Sequence, residues 1–360
     1  MRICCCIHSL GPGGMERVMS ELVNGFIQAH DAKVHVILYG IKREVFYDID
    51  EHAVIHRPDF PFINSHRTWC TLKTINYVRN EIRKINPHTI LSFGNYWNSL
   101  VLIATRGLGY PVYVSDRSSP AKNMGRFHNW LRNVLYPKAT GVIAQTSKAK
   151  EFYDKLFKQS NYSIIGNPVR EIPYNKNIKK ENIVLFVGRL IKTKHVDRLI
   201  TLFHELNRQD WKLVVVGGDA QNQNIMAKLK EQLAGLGNPS NIELVGTRKD
   251  VEVFLNCAKI FAFTSSSEGF PNVIGEAMSA RLSVVSYDCV AGPSDMITDG
   301  DNGYLVPVFD DDLFKKRLLE LMDSEEKREQ MGRKAQESIK AFSVEHITEQ
   351  FYSFITAKSL

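Results

Sequence analysis

No apolar run in this chain approaches the roughly 18 residues that a membrane-spanning helix needs, so no transmembrane role is expected of it. The opening run Met1-Arg2-Ile3-Cys4-Cys5-Cys6-Ile7 is too short for a secretory signal and passes straight into a glycine turn. It reads as the first strand of the fold. The six cysteines include no CxxC pair and no Cys/His spacing suited to a metal. That excludes a zinc ribbon or a disulfide scaffold, and leaves reduced, mostly buried small hydrophobes in a cytosolic protein. A dinucleotide fingerprint is also missing, because G-x-G-x-x-G from Gly11 would need glycine where Glu16 stands. No aromatic-basic RNA motif accompanies the positive charge, so nucleic acid is not an expected partner. Low-complexity tracts are absent as well.

A chain of 360 residues is too long for one ordinary core and suits two domains. A hydrophobic fraction of 44% with 24% charge is that of a soluble globular protein. The net charge of +7 is uneven. Through Gly166 there are 21 Lys/Arg against 12 Asp/Glu, and beyond it 25 against 27. The first half alone is therefore basic, as for an anionic partner such as phospholipid headgroups or a phosphorylated acceptor. Scattered surface charge would look the same.

Short Val/Ile/Leu runs alternate with helical spacing. Strands are expected at 2–8, 33–39, 89–93, 112–115 and 141–145, then at 183–187, 213–216, 242–245, 260–263 and 282–286. Continuous apolar strands separated by helices imply parallel sheets covered on both faces, an α/β class. A Pro/Asn/Lys-rich join falls between 167 and 180. The expected division is 1–166, 167–343 and a C-terminal helix over 344–360 that crosses back to the first domain. Two Rossmann-like sheets would face each other across a cleft at the carboxyl ends of their strands.

The densest chemistry lies in Glu268-Gly269-Phe270-Pro271-Asn272-Val273-Ile274-Gly275-Glu276. A strand leads into it, and a short helix is expected over 272–282 with Pro271 in its first turn. Unpaired N–H groups and the helix dipole make such a terminus an anion site. The two carboxylates can then grip hydroxyls on either side of a phosphate. A second element, Gly188-Arg189-Leu190-Ile191-Lys192-Thr193-Lys194, also follows a strand. Arg189 offers a planar fork and Lys194 a point charge, the fixed cations a diphosphate requires. Gly13 and Gly14 open a helix and can present N–H groups to a phosphate or an acceptor. Asn95 and Arg117 follow first-half strands, where they are either site residues or satisfied loop residues. Asp48-Ile49-Asp50 matches a metal-holding D-x-D only by chance, and Asp310-Asp311-Asp312 reads as an acidic helix start. Over 122–138, Arg126, Phe127, Trp130 and Arg132 interleave as on a membrane-surface helix, a pattern an ordinary packing helix shares.

Together these residues resemble glycosyltransferase family 4, retaining enzymes of the GT-B fold that use nucleotide-sugar donors. The carriers are the Gly13-Gly14-x-Glu16 turn, Gly188-Arg189-Leu190 with Lys194, and Glu268-x7-Glu276. Bacterial enzymes that extend lipid-linked oligosaccharides or surface polysaccharides are the nearest in character. The resemblance implies that Arg189 and Lys194 bind the donor diphosphate and that Glu276 holds the ribose hydroxyls. It places Glu268 near the reacting carbon and the backbone of Asn272, Val273 and Ile274 at phosphate, with Gly269 and Phe270 beside them. Gly246, Thr247 and Arg248 would lie beside the base. Where many members carry histidine this chain has Arg117, and a guanidinium cannot act as a base. Phosphate or sugar hydroxyls are what it can hold. His195 replaces a glycine often found after the lysine. The implied activity is transfer of a hexose or N-acetylhexosamine, from a UDP-sugar, to a glycan on a polyprenyl diphosphate. The expected setting is cytoplasmic and peripheral to the membrane, without metal or other cofactor. A UDP-sugar epimerase or hydrolase of related fold, or an idle sugar-nucleotide-binding subunit, are the alternatives.

Overall fold

The computed structural model describes residues 1–40, 44–158, 161–175 and 177–357; position 176 of the expected join and 358–360 of the expected C-terminal helix lie outside them. The chain forms two compact units, Met1–Pro168 with Val344–Leu360, and Val169–Ser343.

The first unit runs β1 (Arg2–Ile7), α1 (Gly14–His30), β2 (Lys33–Leu38), β3 (Val54–His56), α2 (Arg67–Ile85), β4 (Thr89–Phe93), α3 (Asn95–Thr105), β5 (Val112–Ser115), α4 (Arg126–Leu135), β6 (Gly141–Ala144), α5 (Ser147–Leu156) and β7 (Tyr162–Ile164). Its seven strands are parallel in the order β3-β2-β1-β4-β5-β6-β7. Cys4, Cys5 and Cys6 are fully buried in β1, with side chains alternating across the sheet, and no disulfide joins cysteines among the described residues.

The second unit runs β8 (Ile183–Val187), α6 (Val196–Glu205), β9 (Lys212–Val216), α7 (Ile225–Gly235), β10 (Ile242–Gly246), α8 (Val251–Cys257), β11 (Ile260–Phe263), α9 (Asn272–Ser279), β12 (Ser283–Tyr287), α10 (Pro293–Met296), β13 (Tyr304–Val306), α11 (Asp311–Asp323) and α12 (Glu325–Ser338). Its six strands are parallel, ordered β10-β9-β8-β11-β12-β13. The last helix, α13 (Val344–Thr356), packs on the first unit: Thr89 Oγ1 donates to the Ile355 carbonyl at 2.7 Å, and Phe351 lies 6.0 Å from the Phe93 ring.

Three strands were not expected from the sequence: β3, β7 and β13. Each has three residues and closes an edge of its sheet, so each has one ladder partner and too short an apolar run to signal itself. Helix α9 stops at Ser279 rather than 282, because Arg281 turns left-handed (φ 62°) into β12. The acidic start of α11 behaves as read: Asp310 caps it, accepting from the Leu313 N–H at 3.1 Å.

The sheet orders place the chemistry. Connections from β8 leave toward β9 on one side, and β11 lies on the other, so the order reverses between β8 and β11. Loops at the carboxyl ends of such a strand pair open a crevice. In the first unit the corresponding point lies between β1 and β4.

Candidate active site

The β8 run Val184-Leu185-Phe186 is fully buried and ends at the Gly188 turn. There the backbones crowd: a Cβ on Gly217 would fall 1.8 Å from the Gly188 carbonyl oxygen, so only glycine fits at the end of β9. The chain then makes a single 3-10 turn, Lys192–Lys194, stitched to the loop after β11. Ser266 N donates to the Thr193 carbonyl at 2.8 Å, and Thr264 Oγ1 to the Lys194 carbonyl at 2.9 Å. His195 ends the turn in the left-handed region (φ 47°), which accounts for the glycine common there in the resembled family. Its ring is held by Ser266 Oγ at 2.8 Å and edge-on to Phe309 at 4.9 Å.

This stitching points Lys194 at the β11 loop. Lys194 Nζ donates to Glu268 Oε1 at 2.5 Å and lies 4.8 Å from the Phe263 ring centre. The two side chains are only 10% and 14% exposed. The pair is thus largely withdrawn from water, where charge-assisted contacts count most. Nearby, the Cys289 thiol is pushed up to about 12, chiefly by burial and then by the Glu268 carboxylate. It therefore stays neutral.

After Glu268 the chain turns through Phe270 and Pro271 into α9. Pro271 precedes the helix as its cap residue instead of sitting in the first turn. Gly292 (φ 107°) makes this possible: a Cβ there would strike Pro271 Cδ at 2.1 Å. Pro271 has no side-chain group to bond the first-turn N–H groups, so α9 starts without a cap bond from its own cap residue.

These elements enclose a hollow of about 290 Å³. Of the residues expected at the site, Arg189, Lys194, Glu268, Phe270, Asn272, Val273 and Glu276 line it. Gly188, Val187, Pro271, Val251 and Arg170 complete the wall. Arg170 is a third cation at the hollow that sequence reasoning missed; it lies inside the Pro/Asn/Lys-rich join, where nothing marks it out. It reaches Glu252 at 3.5 Å. Arg189 stands exposed at the rim, its side chain in no hydrogen bond or ion pair among the described residues. Gly269 and Ile274 are not in the lining, and Ile274 packs into the core. Gly246, Thr247 and Arg248 also lie outside it; Arg248 forks onto Asp250 at 2.8 and 2.6 Å. Three cations and a helix N-terminus beside two carboxylates can hold a diphosphate and hydroxyls on either side of it.

The Glycosyl transferases group 1 family matches residues 169–338, and Glycosyltransferase Family 4 matches residues 12–171. The two matches run in sequence order and together span 12–338. The chain is a family 4, group 1 glycosyltransferase. Among its relatives is the Campylobacter jejuni GalNAc-alpha-(1->4)-GalNAc-alpha-(1->3)-diNAcBac-PP-undecaprenol alpha-1,4-N-acetyl-D-galactosaminyltransferase, 26% identical over 99% of this chain and 98% of the relative. A second enzyme of that organism, N-acetylgalactosamine-N,N'-diacetylbacillosaminyl-diphospho-undecaprenol 4-alpha-N-acetylgalactosaminyltransferase, is 28% identical over 93% of this chain and 94% of its own. The structure of Anabaena HepE in complex with UDP superposes with a TM-score of 0.82 over the whole of both chains at 18% identity, a match of GT-B fold.

The glycosyltransferase's first unit holds the remaining expected residues. Gly13 caps α1, exchanging hydrogen bonds with the Tyr47 hydroxyl at 3.1 and 3.0 Å. The Glu16 carboxylate folds back over Gly13, where any Cβ would meet it at 2.2 Å, and Gly14 begins the helix. Asn95 opens α3 and accepts from Ser118 Oγ at 2.8 Å, while its Nδ2 is buried without a partner among the described residues. Arg117 is not a surface cation. It stacks on Phe93 at 4.6 Å and donates to Ser115 Oγ at 3.2 Å and to Asn167 Oδ1. Burial lowers its proton affinity, yet a guanidinium stays charged at neutral pH. Beneath it lies a network that sequence reasoning missed: Asp116 is buried and accepts from the Tyr136 hydroxyl at 2.5 Å, Tyr153 at 3.0 Å and Asn98 at 3.0 Å. One correction concerns α4. Arg132 is 3% exposed and faces the protein, so it is unavailable to a membrane; Arg126 is exposed.

Proposed function

We propose that this glycosyltransferase moves a hexose or N-acetylhexosamine from a UDP-sugar to a glycan carried on a polyprenyl diphosphate, with retention at the anomeric carbon. The observation that carries the reading is the Lys194–Glu268 pair at 2.5 Å, set in one hollow with Arg189, Glu276 and the α9 N-terminus. In this reading Arg189 and Lys194 take the charge that grows on the departing diphosphate. Glu276, one turn inside α9, holds the ribose hydroxyls, and Glu268 faces the reacting carbon. The leaving diphosphate accepts the acceptor proton, since Arg117 cannot act as a base. The protein's contribution is positioning and electrostatics. The choice of acceptor is supported by the two Campylobacter jejuni relatives, whose names specify undecaprenol-linked acceptors, and the choice of nucleotide by HepE, solved with UDP.

A thermal-shift series against UDP-, GDP- and ADP-sugars tests the donor, because a ligand that binds only the folded state raises its stability. UDP-sugars are expected to give the largest shift; no shift with any of them rejects the reading. Within it, Arg189→Ala should weaken UDP binding by about 1.5–3 kcal/mol, the range of a hydrogen bond to a charged group. Unchanged affinity in calorimetry would remove Arg189 from the diphosphate.

Transfer should also survive EDTA, because the cations and the helix end supply the positive charge that a metal would otherwise bring. Asp50 of the D-x-D run is engaged by His52 at 2.9 Å and Gln28 at 3.3 Å. Activity abolished by chelator and restored by manganese or magnesium would overturn this.

A further inference from the structure

Helix α4 is built the wrong way round for water. An amphipathic surface helix normally turns its apolar stripe inward. Here Phe127, Trp130 and Val134 recur at i, i+3 and i+7 on the outside, with Phe127 64% and Trp130 58% exposed. The two rings stack at 6.3 Å instead of seeking the core. The inner side packs Leu135 against the core but otherwise carries polar groups. Arg132 is buried, and its Nε and Nη1, with His128 Nδ1, Asn129 Oδ1 and Asn133 Oδ1, are buried atoms without hydrogen-bond partners among the described residues. Both faces therefore carry a cost in water. An apolar partner over the outer stripe would remove one of them.

The stripe does not stand alone. Helix α3 packs against both α2 and α4. The Tyr96 ring of α3 meets His128 of α4 at 4.8 Å, and Arg67 at the start of α2 lies near enough to His128 to lower its pKa, after burial. The first turns of α2 present Trp69, 60% exposed, and Leu72, 55% exposed. Lys73 places its ammonium 5.4 Å from the Trp69 ring centre. From residue 64 to residue 138 there are eleven Lys/Arg, nine without the inward-facing Arg117 and Arg132, and only two Asp/Glu. Those two are withdrawn: Asp116 is buried, and Glu81 is bound to His56 and Lys84. Apolar rings among basic side chains, with no exposed acid on α2, α3 or α4 themselves, match the headgroup region of an anionic leaflet.

We propose that the first unit docks on an anionic lipid surface through the outer stripe of α4 and the start of α2, with Phe127, Trp130, Trp69 and Leu72 as apolar anchors. The inference rests on the reading of the acceptor as lipid-linked, for which it supplies the means of approach.

Sedimentation of the full chain with vesicles tests it. The wild type is expected to sediment with phosphatidylcholine vesicles containing phosphatidylglycerol at low salt, and far less with phosphatidylcholine alone or at high salt. Phe127→Ser with Trp130→Ser should lower the partition coefficient about ten-fold or more, since two rings lose their burial. Val253→Ser with Val290→Ser, exposed apolar positions in the second unit, should leave it unchanged. UDP-induced thermal shifts should be equal in all three proteins, which also reports that each is folded. Docking is overturned if the wild type ignores anionic vesicles at low salt, or if the aromatic variant sediments like wild type. It is also overturned if light scattering finds a dimer that this variant dissociates. Loss of vesicle binding with UDP shifts intact would sink the docking alone. Vesicle binding without any UDP shift would sink the donor reading alone.

Discussion

Glu268→Ala is expected to lower kcat by about 10²–10³-fold, with donor affinity changed little. In the proposed reaction, positive charge builds at the anomeric carbon as the glycosidic bond loosens, as in glycoside cleavage. A carboxylate facing that carbon acts mainly in the transition state. The structure adds a second consideration. Glu268 also holds Lys194 at 2.5 Å, so its removal frees the ammonium for the diphosphate. Ground-state affinity should therefore hold or rise slightly while turnover collapses. Glu268→Gln separates the two roles: its amide oxygen still accepts from Lys194, but the charge is gone. If the glutamine variant regains most of the wild-type kcat, Glu268 positions Lys194 and does no electrostatic work at the carbon. A parallel fall in kcat for both variants supports the charge.

The core strands of both sheets were legible because each is a buried apolar run bounded by turn residues; β1, β4, β5, β8 and β11 fall within a residue of expectation at each end. What failed to show depends on tertiary placement. The edge strands β3, β7 and β13 are held by a neighbour's ladder rather than by their own composition. Half of the hollow was visible as two loops after strands, Gly188-Arg189 to Lys194 and Glu268 to Glu276. That they converge follows from the reversal between β8 and β11, a fact of strand order that no local pattern encodes. Arg170 and Val251 enter from the unit's first residues and from α8, with nothing in their neighbourhoods to single them out.

Helix α4 shows the opposite error. Its sequence reads correctly as amphipathic, but periodicity gives the faces without saying which points inward. A membrane-surface helix needs its basic residues outward, and Arg132 is buried. His195 was a similar case. Its sequence position shows only a replaced glycine, whereas the structure shows a left-handed residue held by Ser266 and Phe309.

Lys194→Met should be the most damaging change to nucleotide binding, weakening UDP by about 2–5 kcal/mol. The methionine keeps an apolar stem against Phe263 and removes only the ammonium. Two effects then combine. The diphosphate loses its most enclosed cation, on a side chain only 10% exposed. Glu268, itself 14% exposed, is left as an unpaired carboxylate facing an incoming anion. Arg189 at the rim is screened by water, so its own deletion costs less. A double-mutant cycle apportions the loss: Lys194→Met with Glu268→Gln removes the stranded charge and should recover part of the affinity, giving a coupling energy between the two sites. Calorimetry with UDP measures all four proteins, and thermal melts in its absence report their folding. If Lys194→Met binds UDP within about three-fold of wild type, less than 1 kcal/mol, the buried ion pair is a structural clasp and the diphosphate must be held elsewhere.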